Sequence, residues 1–149
     1  MASEPDRRPE GLPTLTVVAG VIQQAGHFLV CQRHRSGAFG GKWEFPGGKV
    51  EAGETAPAAL QRELQEELGI AVHLGPELYR TCHAYAGQYT VHLIFYTIAS
   101  FTGTPQNLTC EAIRWAPLAA LAALDFLEGD AELIAALLQG HLAWPRSQP

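Results

Sequence analysis

Positive charge is scarce in this chain. Ten Lys and Arg stand against fifteen Asp and Glu, a formal net charge of −5 over 149 residues. Without a basic stripe there is no electrostatic footprint for a phosphate backbone, which argues against non-specific binding of a nucleic-acid polymer. Cysteine is equally sparse. Cys31, Cys82 and Cys110 are odd in number, widely spaced and lack the paired spacing of zinc sites, so they read as reduced intracellular thiols. No apolar run reaches membrane length, and residues 1–13 are polar and proline-bearing where a secretory signal would be apolar. The expectation is a cytoplasmic protein with neither a membrane nor a nucleic-acid polymer as partner, with monomer and homodimer both open. A phosphate-binding loop is also missing: Gly40-Gly41-Lys42 lacks the first glycine of that motif, and Trp43 stands where its metal-binding hydroxyl belongs.

Apolar residues are plentiful, at 47 % of the chain, enough for one compact core. The expected organisation is a single domain over 14–144 between a flexible start, 1–13, and a short tail, 145–149. Residues 15–22 alternate and are rich in β-branched side chains; a turn over 23–26 and a returning strand over 27–32 follow. Further strands are expected over 72–74, 78–86, 89–101 and 112–115, separated by Gly75-Pro76, Gly87-Gln88 and Gly103-Thr104-Pro105. Helices are expected over 117–124 and 130–142, the latter from the stripe Leu133, Ile134, Leu137 and Leu138. The order predicts an α+β fold with a mixed β-sheet covered by helices on both faces.

The densest information lies between Gly48 and Ile70. Glu63, Glu66 and Glu67 fall at i, i+3 and i+4 on one helical face, where each like-charge pair opposes the helix by roughly 0.2–0.5 kcal/mol. Leu60, Leu64 and Leu68 form a separate apolar stripe, so the helix has a core side and an acidic side. Surface helices interleave lysine with glutamate, but from Ala52 to Leu78 only Arg62 is positive. A divalent cation would reverse the repulsion. Carboxylates with little nitrogen or sulfur nearby suit a hard ion such as Mg2+, which keeps places for water and substrate phosphate. Pro46, Gly47 and Gly48 break the preceding strand, Thr55 opens the helix with Pro57 in its first turn, and Gly69 ends it.

This segment resembles the Nudix box: Gly48, Glu54, Arg62, Glu63, Leu64, Glu66, Glu67, Gly69 and Ile70 fill its defined positions in order. The flank, 42–51, is similar to the MutT-like branch, which hydrolyses nucleoside triphosphates to monophosphate and pyrophosphate. The resemblance implies an α-β-α sandwich and a Mg2+ cofactor, with Mn2+ as substitute. It implies Glu66 and Glu67 as ligands, Glu63 as ligand or general base, the Gly47 carbonyl as a further ligand, and Arg62 as the residue that orients Glu63. Where many MutT-like enzymes carry another acid, six residues before a tryptophan, this chain has Thr109, and Glu111 is the candidate substitute.

The small-molecule partner is then a nucleotide. Arg33 matches a nucleotide-contacting position, and its guanidinium suits phosphate or base stacking; Lys49 is a second phosphate candidate. Asp130 occupies the place where a purine-sanitising relative reads the ring edge; ionised, it only accepts hydrogen bonds, and its alternative role is an N-cap. Tyr85 and Phe126 are candidate stacking residues, from an aromatic set that includes Trp43, Tyr89 and Phe95. Oxidised nucleotides such as 8-oxo-dGTP are the favoured substrates. CTP-type pyrimidine nucleotides, nucleotide sugars and dinucleoside polyphosphates are the alternatives. A non-catalytic nucleotide-sensing module has no need of these carboxylates, and their presence argues against one.

Overall fold

The computed structural model describes residues 13–85, 89–140 and 142, the side chain of Tyr85 excepted. The expected turn at Gly87-Gln88 and both expected tails, save Pro13, lie outside the described residues. Strands β1 (Thr14–Val21), β5 (Gly47–Lys49), β6 (Ala71–Tyr85) and β7 (Tyr89–Thr102) form one sheet in the order β5-β1-β7-β6. The β1–β7 pair is parallel and the others antiparallel, which makes this sheet mixed. A second, antiparallel sheet is built on β3 (His27–Gln32), which pairs with β2 (Gln23–Gln24), β4 (Trp43–Glu44) and β8 (Ala112–Pro117). The helices are α1 (Ala56–Leu68), α2 (Leu118–Leu121) and α3 (Glu128–Leu138).

Two apolar layers follow from strand alternation. Along β7, Ile94 and Ile98 join Val18, Ile22 and the fully buried Leu60, Leu64 and Leu68 of α1. Leu93 and Phe95 pack the opposite way, with Phe28, Phe45, Leu121 of α2 and Leu133 and Ile134 of α3. The helices therefore cover opposite faces, as an α-β-α sandwich requires. No helix among the described residues is long and apolar enough to cross a membrane.

Local chemistry sets the ends of α1. Thr55 caps it by accepting from the Ala58 N–H at 3.2 Å, Pro57 sits in the first turn, and Gly69 at φ 70° donates back to the Gln65 carbonyl at 3.0 Å. Other expectations need correction. Gly75-Pro76 does not end a strand: Leu74 pairs with Ile98 and Glu77 with Tyr96, so the two residues together oppose Thr97 in a bulge within β6. Pro76 lacks an N–H for the ladder, and its carbonyl accepts from the Thr97 hydroxyl at 3.0 Å. The Gly47-Gly48 segment is a strand paired with β1, where a loop was expected. The first turn shrinks to Ala25 and Gly26, both at positive φ (52° and 78°), because Gln23–Gln24 joins β3. Helix α2 is a single turn, and α3 starts two residues before Asp130 and ends at Leu138, before Gly140 at φ 73°.

Leu64 is the centre of the α1 layer. Leu64→Ala is expected to lower unfolding free energy by about 2–5 kcal/mol, the range for a leucine truncated inside a core. Chemical denaturation checks this; a loss below about 1 kcal/mol would mean that α1 is not packed as described.

Candidate active site

The glycine strand and the acidic helix meet through atoms that only glycine leaves room for. A Cβ at Gly48 would stand 2.5 Å from both carboxylate oxygens of Glu63, and one at Gly47 would stand 2.7 Å from Ala19 Cα on the paired strand. The bare Gly48 leaves room for Glu63 of α1, the bare Gly47 lets β5 pair closely with β1, and the Gly47 N–H donates to Glu67 Oε2 at 3.3 Å. Beside them opens a cavity of about 300 Å3 whose lining includes Glu44, Glu63, Glu67, Asp130, Phe39 and Tyr89.

Arg62 is the hub of the acidic face. Its Nε and Nη2 donate to the two oxygens of Glu54 at 2.7 and 2.9 Å, and Nη2 also reaches the Lys49 carbonyl at 3.1 Å. Its Nη1 donates to Glu63 Oε1 at 2.9 Å and Glu66 Oε2 at 3.3 Å. The Arg62 hydrogen bonds, with the Glu51 N–H, hold Glu54 down at about 2. Arg62 thus orients Glu63 from a platform supplied by Glu54. It also draws Glu66 outward: Glu66 is 58 % exposed and does not line the cavity, whereas Glu63 is 17 % exposed and does. The expected trio is in this state a pair.

Glu44 joins that pair, although sequence reasoning did not single it out. It precedes Phe45 on β4, and the β3–β4 pairing brings it beside Arg33, whose Nη1 donates to both of its oxygens at 3.1 and 3.3 Å. Burial raises Glu44 above the ordinary carboxylate range against the pull of Arg33. Burial likewise raises Glu63 against Arg62. Glu67 is pushed up to about 9, by burial first and then by Cys110, Glu44 and Glu63, and no cation pairs with it among the described residues. Buried oxygens short of counter-charge, with a glycine strand alongside, form a donor set that fits a hard divalent cation. Glu63 and Glu67 would hold it, with Glu44 within reach of the same cavity.

Asp130 is inside the first turn of α3 and is not its N-cap, a position held by Leu127. Its carboxylate accepts from the Phe45 N–H at 2.8 Å, and it is only 3 % exposed. Burial raises its carboxyl well above the ordinary range, against the Phe45 N–H and Arg33, which favour its charged form. The Trp43–Phe126 bridge and the Leu127 N–H to Trp43 carbonyl bond (3.1 Å) set the start of α3 against β4.

The remaining candidates separate. Arg33 and Lys49 line the cavity, Arg33 also donating to the Ala38 carbonyl at 2.8 Å. Phe126 is core, its ring 5.9 Å from that of Phe45, and does not line the cavity. Glu111 lies away from it, accepting from the Arg35 N–H at 3.4 Å and standing 3.9 Å from His34. The side chain of Tyr85 lies outside the described residues, but Tyr89 and the exposed Phe39 do line the cavity. Phe39 sits at φ 54°, a strained value for an aromatic residue, and nothing in its sequence neighbourhood marks it.

The NUDIX domain family matches residues 12–137. A protein of Mycobacterium tuberculosis named putative 8-oxo-dGTP diphosphatase 2 is 38 % identical over 128 residues, covering 81 % of this chain and 86 % of that protein. The Escherichia coli CTP pyrophosphohydrolase is 38 % identical over 101 residues, covering 68 % and 74 %. The solution structure of the E. coli ORF135 protein aligns with a TM-score of 0.77 at 32 % identity, covering 87 % of this chain and 92 % of that one. A glycine strand against an acidic helix, an arginine that organises its glutamates and a family match over most of the chain agree: this protein belongs to the NUDIX family and is a Nudix hydrolase.

Proposed function

We propose that this protein hydrolyses nucleoside triphosphates to monophosphate and pyrophosphate with Mg2+ or Mn2+, and that it favours oxidised purines such as 8-oxo-dGTP. The observation that carries this reading is one cavity lined by Glu44, Glu63 and Glu67 together with the buried Asp130 and the aromatic side chains Phe39 and Tyr89. The relatives named 8-oxo-dGTP diphosphatase support it. Three free thiols fit a reducing cytoplasm, and residues 14–144 serve as the one domain.

The chemistry follows from the acids. A bound divalent cation supplies charge neutralisation for phosphate oxygens and acidifies a coordinated water. Glu67 and Glu63 would hold it, with the Gly47 carbonyl as a further ligand and Glu66 as another once it turns in from Arg62. Arg62 keeps Glu63 aimed, and Glu63 accepts the proton of the water that attacks phosphorus in line as the anhydride bond breaks. Lys49 and Arg33 meet the departing or retained phosphates, Arg33 while steadying Glu44.

Base choice rests on Asp130. Guanine shows two acceptors, N7 and O6, along one edge. Oxidation at C8 places a proton on N7, giving a donor beside an acceptor. A neutral carboxyl matches that pair with its carbonyl and O–H, and against unmodified guanine one acceptor is left facing the carbonyl. Phe39 and Tyr89 supply apolar faces for the ring. Cytosine also shows a donor beside an acceptor, and the relative named CTP pyrophosphohydrolase favours this second reading.

Two outcomes are expected. With Mg2+, kcat/KM for 8-oxo-dGTP exceeds that for dGTP by at least about tenfold, the smallest discrimination that an unmatched buried polar group gives, with pyrophosphate as product. A preference for cytosine nucleotides would replace the oxidised-purine reading, and no turnover on any nucleotide would replace both with a sensing module. Gly48→Ala pushes only the flexible end of Glu63, so kcat is expected to fall by about a hundredfold in a folded protein. Gly47→Ala meets the β1 backbone and is expected to cost about 1–3 kcal/mol of stability. Equal effects of the two on folding would contradict the placement of Glu63.

A further inference from the structure

Among the described residues, one set of three cysteine, histidine or acidic side chains brings its ligand atoms within 4.8 Å of one another, and it is not the glutamate face. It is Cys31, Cys110 and Glu67. Cys31 is buried on β3, and Cys110 is half-buried just before β8.

The backbone fixes this meeting from three sides. The Gln106 and Leu108 N–H groups donate to the Leu68 and Glu67 carbonyls at 2.9 and 3.1 Å, fastening the 106–110 segment to the end of α1. The Glu111 N–H donates to the Gln32 carbonyl at 2.9 Å, fastening the same segment to β3 beside Cys31. The Cys110 N–H is held by Asn107 Oδ1 at 2.9 Å, and His34 reaches the Thr109 carbonyl at 2.6 Å. Two sulfurs and a carboxylate oxygen are thus placed by elements that meet for other reasons.

We propose that Cys31 Sγ, Cys110 Sγ and one oxygen of Glu67 form a site for a single thiophilic divalent cation of the zinc class, distinct in chemistry from the hard-ion site that shares Glu67. Tetrahedral coordination at about 2.3 Å to sulfur and about 2.0–2.2 Å to oxygen needs ligand atoms about 3.6–3.8 Å apart, so movements of roughly 1 Å close the observed set. Two sulfurs and one oxygen suit Zn2+ or Cd2+ and disfavour Mg2+. The half-buried Cys110 side gives entry and leaves the fourth position to water. Binding releases the two thiol protons and the Glu67 carboxyl proton to solvent and breaks no covalent bonds other than these S–H and O–H bonds.

One consequence rests on the proposed hydrolase reading: Glu67 held by a soft ion is withdrawn from the hydrolytic cavity, so the soft ion inhibits turnover supported by Mg2+. The site itself does not depend on that reading. The full-length protein is titrated with Co2+ as spectroscopic probe and with Zn2+ against a chromophoric chelator, alongside Cys110→Ser and Cys31→Ala. The expected result is a thiolate-to-cobalt absorption band that saturates at one ion per chain and is displaced by Zn2+. Cys110→Ser is expected to abolish the band and weaken Zn2+ binding by about a hundredfold, keep Mg2+-supported turnover and resist inhibition by Zn2+. Absence of the band in wild-type protein overturns the proposal, as does Zn2+ binding of equal strength in Cys110→Ser. A wild-type protein that shows the band but hydrolyses no nucleotide leaves the site standing and removes the hydrolase reading instead.

Discussion

Glu67 is carried to the cavity by the same helix that buries Leu64 and Leu68 in the core, and the arrangement of the acids around it follows from that constraint. Its place on α1 is set by leucines that are fully buried against β1 and β7. The helix can approach so closely because Gly48 presents no side chain to Glu63. The carboxyl is consequently desolvated and raised to about 9, while Arg62 neutralises Glu63 and Arg33 neutralises Glu44. A desolvated acid with no cation beside it is costly unless protonated or met by an ion. The fold holds this one in readiness for an ion from solution, which accords with a chain poor in positive charge of its own.

Burial raises the acids of β4 and α1 and Asp130 of α3 around one cavity. At the glutamates, desolvation sharpens the attraction for a divalent ion and its phosphate. At Asp130, desolvation raises the carboxyl and so favours its protonated form. The thiol pair beside Glu67 lies behind the first of these, on the β3 side of α1.

The helix and its chemistry were legible because their signals are local: Thr55 and Gly69 cap, the leucines stripe, and Arg62, Glu63 and Glu67 keep fixed spacing. Glu66 was grouped with them because three and four residues along a helix both count as neighbours, but only Glu67 lies on the leucine-fixed edge that meets Gly47. The Gly75-Pro76 break was misread because a bulge keeps the strand going where turn chemistry alone suggests an end. Glu44, Phe39 and the burial of Asp130 were out of reach for one reason. Each depends on contacts far apart in sequence, such as Phe45 with Asp130, and no local pattern encodes them.

The central claim is that Glu67 is held protonated and buried until a cation takes it. Between the ordinary carboxylate value of 4.5 and about 9 the folded, metal-free chain binds more protons than the unfolded chain, so this group makes stability fall as pH rises through that window. Cation binding must expel the proton, so affinity runs the other way. The deciding measurement is the calorimetric titration of wild-type protein and Glu67→Gln with Mg2+ or Mn2+ between about pH 6 and pH 9, in buffers of different ionisation enthalpy. Arg62, Arg33, Lys49, Glu44, Glu63 and Cys110 surround the group in both proteins and serve as the common background. Wild-type affinity that rises with pH and releases close to one proton per ion near neutrality, with both effects lost in Glu67→Gln, is the expected result. Affinity independent of pH, or the same proton release in Glu67→Gln, would contradict the account.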